Sequence, residues 1–251
     1  MNFENIKVVI PARYGSTRLH GKALLLIQGK PLFWHVAQRC LESGIELDNI
    51  VIATDDQRIV TVAQSLKLSV LLTSIAHQSG TDRICEVANT LKWPTHTVVI
   101  NVQGDEPLIP NLLIKAVASF KVNNPQYSIA TAVVPLTKYD DFINPNVVKA
   151  VMGENGRALY FTRSASPLNR SDPADLSLSY RHVGIYAYTV ESLNLFCSFA
   201  ESPLEAYERL EQLRALTNGL TIGASIFYGD VAHGVDTSED FEEIKQLMET
   251  E

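Results

Sequence analysis

The sequence has only three cysteines, Cys40, Cys85 and Cys197, odd in number and far apart. That excludes an evident disulfide framework and a cysteine metal site, and it points to a reducing, cytoplasmic compartment. Its six histidines lack zinc-ligand spacing. No apolar run approaches the roughly 18 residues of a membrane-crossing helix, and the opening M-N-F-E-N-I-K lacks a signal-peptide layout. No membrane insertion is expected. Positive charge is scarce too, with 21 Lys and Arg against 28 Asp and Glu and a net charge of −7. This balance argues against nucleic acid as the main partner, because backbone binding wants a broad basic surface, and it fits a single phosphorylated small molecule better. A Walker A loop, a G-x-G-x-x-G fingerprint and a D-x-D motif are missing, and no Ser-His-Asp or Cys-His nucleophile system is suggested.

Against this acidic background one stretch gathers cations. Val8–Lys22 reads V-V-I-P-A-R-Y-G-S-T-R-L-H-G-K, a short β-branched run followed by Arg13, Arg18 and Lys22, the hydroxyls of Ser16 and Thr17, and Gly15 and Gly21. A strand feeding a basic loop with glycines and hydroxyl donors suits a triphosphate, with a solvated surface loop as its alternative. With 46% hydrophobic and 20% charged residues, the chain can bury one large α/β domain, or one with a sizeable excursion. Strands at Lys7–Pro11, Asn49–Thr54, Ser69–Leu72 and Thr97–Val102 alternate with helical patterns at Pro31–Ser43, Asp56–Leu66 and Thr81–Leu91. Near-continuous apolar strands separated by amphipathic helices predict a mainly parallel sheet with helices on both faces. Beyond Pro110 a helix at Asn111–Asn123 precedes strands at Ser128–Pro135, Val147–Met152, Leu159–Arg163 and His182–Tyr188, with a polar excursion at Ser164–Tyr180. One long helix is expected over Leu204–Asn218, then a strand at Thr221–Tyr228 and a last helix at Ser238–Met248. No linker marks a clean two-domain split, so the reading is a single domain with a smaller β-rich excursion around 125–220.

Asn101–Pro107, N-V-Q-G-D-E-P, ends the Thr97–Val102 strand, where ligands of open parallel sheets collect. Asp105 is the metal candidate there, with a helix cap as its alternative. Asp236 in G-V-D-T is either a second Mg²⁺ ligand or an N-cap, since D-T-S-E-D is good capping sequence. His77–Arg83, H-Q-S-G-T-D-R, suits a polar ligand at a helix start, with Thr81 as a simple cap otherwise. Arg163 and His182 together could bind a carboxylate, and spacing does not choose between Arg163 and Arg157, Arg170 or Arg209.

Taken in order, I-P-A-R-Y-G-S-T-R-L-x-G-K, A-T-D-D, H-Q-S-G-T-D-R, N-V-Q-G-D-E-P, N-P-N-V-V-K, A-L-Y-F-T-R, R-H-V-G-I-Y-A-Y, E-x-L-E-Q-L-R and G-V-D-T resemble the 3-deoxy-manno-octulosonate (Kdo) cytidylyltransferases, or CMP-Kdo synthetases, from about residue 6 to 245. The resemblance implies a nucleotide-diphospho-sugar transferase-like (Rossmann-like) α/β fold, Mg²⁺ as cofactor, CTP and Kdo as substrates, usually a homodimer, and a role in lipopolysaccharide biosynthesis. It implies CTP contacts from Pro11, Ala12, Arg13, Ser16, Arg18, Lys22, Ser79, Gly80, Arg83 and Gln103. Gln103, Arg163, His182, Tyr186, Glu211 and Gln212 would meet the sugar acid, Asp105 and Asp236 would bind the metal, and Arg13 and Lys22 would share the catalytic work with them. The chain departs from the family at His20 and Ala23, where L-P-G-K-P-L has prolines, at Ser166-Pro167-Leu168, and at Thr189, where an Arg is common. The sugar side therefore leaves room for 8-amino-Kdo or a related acid.

Overall fold

The computed structural model describes residues 6–16, 18–77 and 79–250. Its elements in chain order are β1 (Ile6–Pro11), β2 (Leu26–Ile27), β3 (Lys30–Pro31), α1 (Leu32–Glu42), β4 (Ile50–Thr54), α2 (Gln57–Ser65), β5 (Ser69–Leu72), α3 (Gly80–Thr90), β6 (Val98–Asn101), α4 (Asn111–Asn123), β7 (Ile129–Pro135), α5 (Tyr139–Ile143), β8 (Lys149–Met152), β9 (Arg157–Thr162), β10 (Tyr180–Thr189), α6 (Val190–Ser198), α7 (Pro203–Glu208), α8 (Gln212–Thr217), β11 (Ile222–Ile226) and α9 (Ser238–Thr250). The chain divides into two compact units, one of residues 1–115 and 230–251 and one of residues 116–229.

In the first unit β1 lies between β4 and β6, and β5 flanks β4, all in parallel. These strands are almost wholly apolar because both faces are covered: every residue of β4 is buried. The helices bring the complementary stripes, Phe33, Val36, Ala37 and Cys40 on α1, Ile59, Val60 and Ala63 on α2, and Ile84, Val87 and Ala88 on α3. A separate buried cluster of Ile27, Leu32, Val235 and Ile244 ties the segment after the basic loop to α9. It fixes the chain just before Asp236.

The second unit is mixed. There β7 pairs antiparallel with β10 and parallel with β11, while β9 runs antiparallel to both β11 and β8. The expectation of a mainly parallel sheet is thus corrected to a mixed strand arrangement, the parallel pattern being confined to the first unit and to β7 with β11. The register of β10 against β7 shifts between Val183 and Tyr186, the kind of irregularity that re-aims side chains.

The single helix expected over Leu204–Asn218 is also corrected. It breaks into α7 and α8 because Arg209 takes a left-handed conformation, φ 54°. α7 starts on a capping box of Ser202 and Glu205 with Pro203 in its first turn. The break turns the Glu208 carboxylate onto β9, where it accepts from Thr162 Oγ1 at 2.8 Å and from the Arg163 N–H at 2.9 Å. A helix over Val190–Ser198, absent from the sequence reading, starts on Thr189, whose hydroxyl and Ser192 cap one another reciprocally.

Candidate active site

The strand ends of the first unit build a cleft of about 270 Å³. Its walls include Pro11, Ala12, Arg13, Ser16, Arg18 and Lys22 from β1 and the loop after it, Ser79, Gly80 and Arg83 from the start of α3, Gln103 and Asp105 from the turn after β6, and Asp236. The structure therefore brings together the residues expected to meet a nucleotide and a metal. Thr17 and Gln78, which belong to the same two motifs, lie outside the described residues.

The turn carrying Asp105 is held by backbone geometry. A Cβ on Gly104 would sit 2.7 Å from the Pro11 carbonyl oxygen, and Pro11 cannot retreat because the Ala12 N–H donates to the Ala53 carbonyl at 2.8 Å. Only glycine fits this approach. Gly104→Ala is accordingly expected to displace the turn, cost about 1–3 kcal/mol of stability and reduce turnover together with it, as thermal unfolding and kinetics on the same preparation would read.

Asp105 and Asp236 share one ammonium. Lys22 Nζ pairs with Asp105, donates to Asp236 Oδ1 at 3.1 Å and to the Val235 carbonyl at 2.9 Å. Arg18 adds a second cation to Asp236 at 2.8 Å. The Val235 N–H donates to the Asp105 carbonyl at 2.8 Å, which stitches the two acidic segments together. Neither carboxylate is spent on a helix. α4 begins six residues after Asp105, and the start of α9 is capped by Thr237 and Asp240: the Asp240 carboxylate accepts from the Asp236 and Thr237 N–H groups at 2.9 and 2.8 Å, and Thr237 Oγ1 accepts from the Asp240 N–H at 3.2 Å. D-T-S-E-D is a capping sequence, but its cap is one residue past Asp236.

On the opposite wall Ser79, rather than Thr81, caps α3: its hydroxyl accepts from the Asp82 N–H and donates to the Asp82 carboxylate. Arg83 is 3% exposed and spends its guanidinium on Asp55 at 2.7 Å, on Thr73 and on the Ser74 carbonyl. It fixes the wall through A-T-D-D. Gln103 donates to Asn101 Oδ1 at 3.1 Å.

Apart from Gln103, the residues expected to meet a sugar acid lie in the second unit. His182 and Tyr186 meet with ring centroids 5.4 Å apart, and Phe161 packs edge-on against His182 at 5.0 Å. Burial, with Arg181 adding its charge, pushes the His182 pKa down to about 3. The ring is neutral at physiological pH and cannot supply charge to a carboxylate alongside Arg163. Thr131 Oγ1 lies 3.0 Å from His182 Nε2 and within reach of the Val183 and Ile185 carbonyls at 3.2 and 2.8 Å; with its one proton given to a carbonyl, it accepts from Nε2–H and Nδ1 is the acceptor of the ring. Burial and then the nearby Glu211 carboxylate push the Tyr186 hydroxyl well up, keeping it protonated. Gln212 is buried and its Nε2 has no hydrogen-bond partner among the described residues, a donor waiting for an acceptor. Arg163 is used otherwise: it donates to the Glu208 carbonyl at 2.6 Å and to the Pro145 carbonyl at 2.9 Å.

The neutral His182 has a consequence for stability. The unfolded chain's histidine binds a proton as pH falls through about 6.5, whereas the folded one stays neutral down to about 3. Unfolding therefore gains protons in this window, and stability falls as pH falls through it. In His182→Gln, which keeps a donor toward Thr131, the drop in Tm between pH 7.5 and 5.0 is expected to shrink by roughly 3 °C in calorimetry.

Two organising residues were not found in the sequence. Glu208 is one of two carboxylates in L-E-A-Y-E-R, with no spacing signal of its own. Lys149, fully buried, donates to the Asn144 and Val147 carbonyls at 2.8 and 2.5 Å; the lysine of N-P-N-V-V-K was its only trace.

A parallel β-α unit with a basic loop and Asp105 at its strand ends, and Asp236 brought to the same cleft from just before α9, has the framework of the nucleotidyltransferases. The profile of the cytidylyltransferase family matches residues 7–222. The 3-deoxy-manno-octulosonate cytidylyltransferase of Alteromonas mediterranea is 45% identical over 97% of this chain and 98% of its own length, and that of Cellvibrio japonicus is 44% identical over 96% and 97%. A solved CMP:2-keto-3-deoxy-manno-octonic acid synthetase complexed with CTP superposes with a TM-score of 0.90 at 36% identity, covering 98% of each chain. The chain belongs to the 3-deoxy-manno-octulosonate cytidylyltransferase family.

Proposed function

We propose that this enzyme transfers CMP from CTP to the anomeric hydroxyl of Kdo, giving CMP-Kdo and pyrophosphate for lipopolysaccharide biosynthesis. The observation that carries the reading is the pair of carboxylates, Asp105 and Asp236, bridged by Lys22 in a cleft walled by the basic loop. CTP and Kdo are both anionic, so bringing them together is repulsive unless cations offset the charge. Arg13, Arg18 and Lys22 turn toward the triphosphate, and the α3 start with its Ser79 cap and Arg83-braced wall supports the cytidine side. Gln103 serves both ligands. In the sugar recess the neutral His182 accepts a hydroxyl at Nδ1, Gln212 donates from Nε2, and Tyr186 and Glu211 complete the polar wall. Arg163 shapes this recess by holding the Pro145 and Glu208 carbonyls.

The donor set fits Mg²⁺: two carboxylates already face a single cation, and oxygen ligands are what this ion accepts. Among the described residues no third His, Cys, Asp or Glu joins them, which leaves room for substrate oxygens. When bound, Mg²⁺ supplies charge neutralisation and a lowered pKa for the attacking hydroxyl. The chain's own contribution is positioning and electrostatic preorganisation. The oxygen–phosphorus bond to the sugar forms as the α,β-phosphoanhydride bond breaks, the hydroxyl's proton passes to solvent water, pyrophosphate takes the displaced electron pair, and no protein nucleophile takes part. We place the enzyme in the cytoplasm as a homodimer. Among the described residues no helix is long and apolar enough to cross a membrane.

Pyrophosphate release with CTP and Mg²⁺ tests the reading, comparing Kdo, 8-amino-Kdo, neuraminic acid and no sugar, with EDTA as control. Kdo-dependent, EDTA-sensitive release is expected. Release with the 8-amino sugar alone would move the assignment to that acid, and no release with any sugar would leave a CTP-binding regulator.

A further inference from the structure

In the basic loop, Tyr14 gathers contacts from its own neighbours and from the start of α2. The Tyr14 carbonyl accepts from the Ser16 N–H at 2.9 Å and from the Gly21 N–H at 3.0 Å, closing the segment on itself. Gly21 is left-handed, φ 69°, and a Cβ there would lie 3.1 Å from the Tyr14 ring, so the ring seats against bare backbone. The His20 ring meets Tyr14 edge-on with centroids 4.7 Å apart. The remaining face of Tyr14 is covered from outside the loop: the Arg58 guanidinium stacks on it, Cζ 3.4 Å from the ring centroid. Arg58 is itself fixed by a two-pronged pair with Asp56, Nε to Oδ1 at 2.8 Å and Nη2 to Oδ2 at 2.6 Å. Asp56 is the N-cap of α2 and accepts from the Arg58 N–H at 2.9 Å.

We propose that Arg58 is a positioning residue for the phosphate-binding loop: anchored to the start of α2 by Asp56, it clamps Tyr14 and thereby holds Arg13, Arg18 and Lys22 at the cleft. A planar guanidinium can do both jobs at once, giving its edge to the carboxylate and its face to the ring, whereas an ammonium cannot. Tyr14, Asp56 and Arg58 are not among the residues that line the cleft. It acts by limiting where the loop can go before nucleotide arrives, and that ordering cost otherwise falls on binding.

The catalytic part of this inference rests on the nucleotide reading above; the clamp itself does not, and the loop carries its own reporter in the tryptic sites Arg13, Arg18 and Lys22. Limited trypsin digestion of the nucleotide-free protein should cut Arg58→Ala within this loop about 5-fold or more faster than wild type, as loss of a stacked contact of this kind predicts. Arg58→Lys should behave like Arg58→Ala. In kinetics Arg58→Ala should raise the KM for CTP roughly 5–10-fold with kcat within about 3-fold of wild type, the split expected when pre-ordering rather than transition-state contact is lost. Tyr14→Ala should match Arg58→Ala in the digestion, and the double variant should be no faster than Tyr14→Ala alone. Wild-type cutting of Arg58→Ala, full rescue by lysine, or additive effects in the double variant would overturn the proposal. A wild-type protein that releases no pyrophosphate would sink the functional reading, while the digestion would still report on the clamp.

Discussion

Asp105→Asn is expected to lower turnover about 10²-fold or more, by analogy with removal of one preorganised transition-state contact, while the protein keeps its fold. The asparagine is nearly isosteric, and the features that shape the turn are backbone ones: the close approach of Gly104 to Pro11 and the Val235 N–H to the Asp105 carbonyl. None of these depends on the side-chain charge. What is lost is one of two negative charges that face a common cation, with Lys22 left to pair with Asp236 and the Val235 carbonyl. Lys22 and Asp105 are 13% and 27% exposed, but the ammonium keeps Asp236 and the Val235 carbonyl and the amide oxygen can still accept from it, so little stability is lost compared with the loss in chemistry. Thermal unfolding should shift little. The EDTA-sensitive pyrophosphate release should fall sharply, with kcat reduced more than the KM for CTP. Near-normal turnover in the folded variant would remove Asp105 from the metal site.

Much of the first unit was legible because its signals are local. A strand buried on both faces must be continuously apolar, and β1, β4 and β6 read that way in the sequence; the amphipathic stripes of α1, α2 and α3 follow from the same burial. Boundaries shifted by a residue or two, as fraying ends do. The second unit was less legible. Its strands pair with partners far apart in sequence, so alternation suggested strands without saying which ran parallel. The long apolar periodicity over Leu204–Asn218 concealed a break, because it is made by one left-handed arginine and rewarded by a carboxylate reaching another strand. Propensity sees neither. At the site, residue types were readable and their commitments were not: Arg163 and Arg83 look like free cations in the sequence, but the folded chain spends them on its own carbonyls and on Asp55. Asp236 shows the reverse. Its surroundings read as a helix cap, and only the Thr237–Asp240 exchange reveals that the carboxylate is left over for the cleft.

Lys22→Met carries the other large effect, and it should move two quantities in opposite directions. In the nucleotide-free enzyme the Lys22 ammonium sits between Asp105 and Asp236, with Arg18 on the same Asp236 oxygen, Oδ1, so two negative charges are already balanced by two positive ones. A divalent cation entering alone must displace the ammonium from both carboxylates. Methionine keeps the length and packing of the stem and deletes the charge, leaving the acidic pair without its internal counter-ion. Mn²⁺ binding without CTP, read by titration calorimetry or by the spin signal of the free ion, should therefore tighten about 10-fold, the equivalent of one favourable charge contact of roughly 1.4 kcal/mol. Turnover should move the other way, falling about 10²-fold, because the same ammonium is the cation freed for the triphosphate when nucleotide and metal arrive together. Unchanged Mn²⁺ affinity would mean that Lys22 does not guard the carboxylates. Unchanged turnover at subsaturating CTP would mean that it does not reach the phosphates.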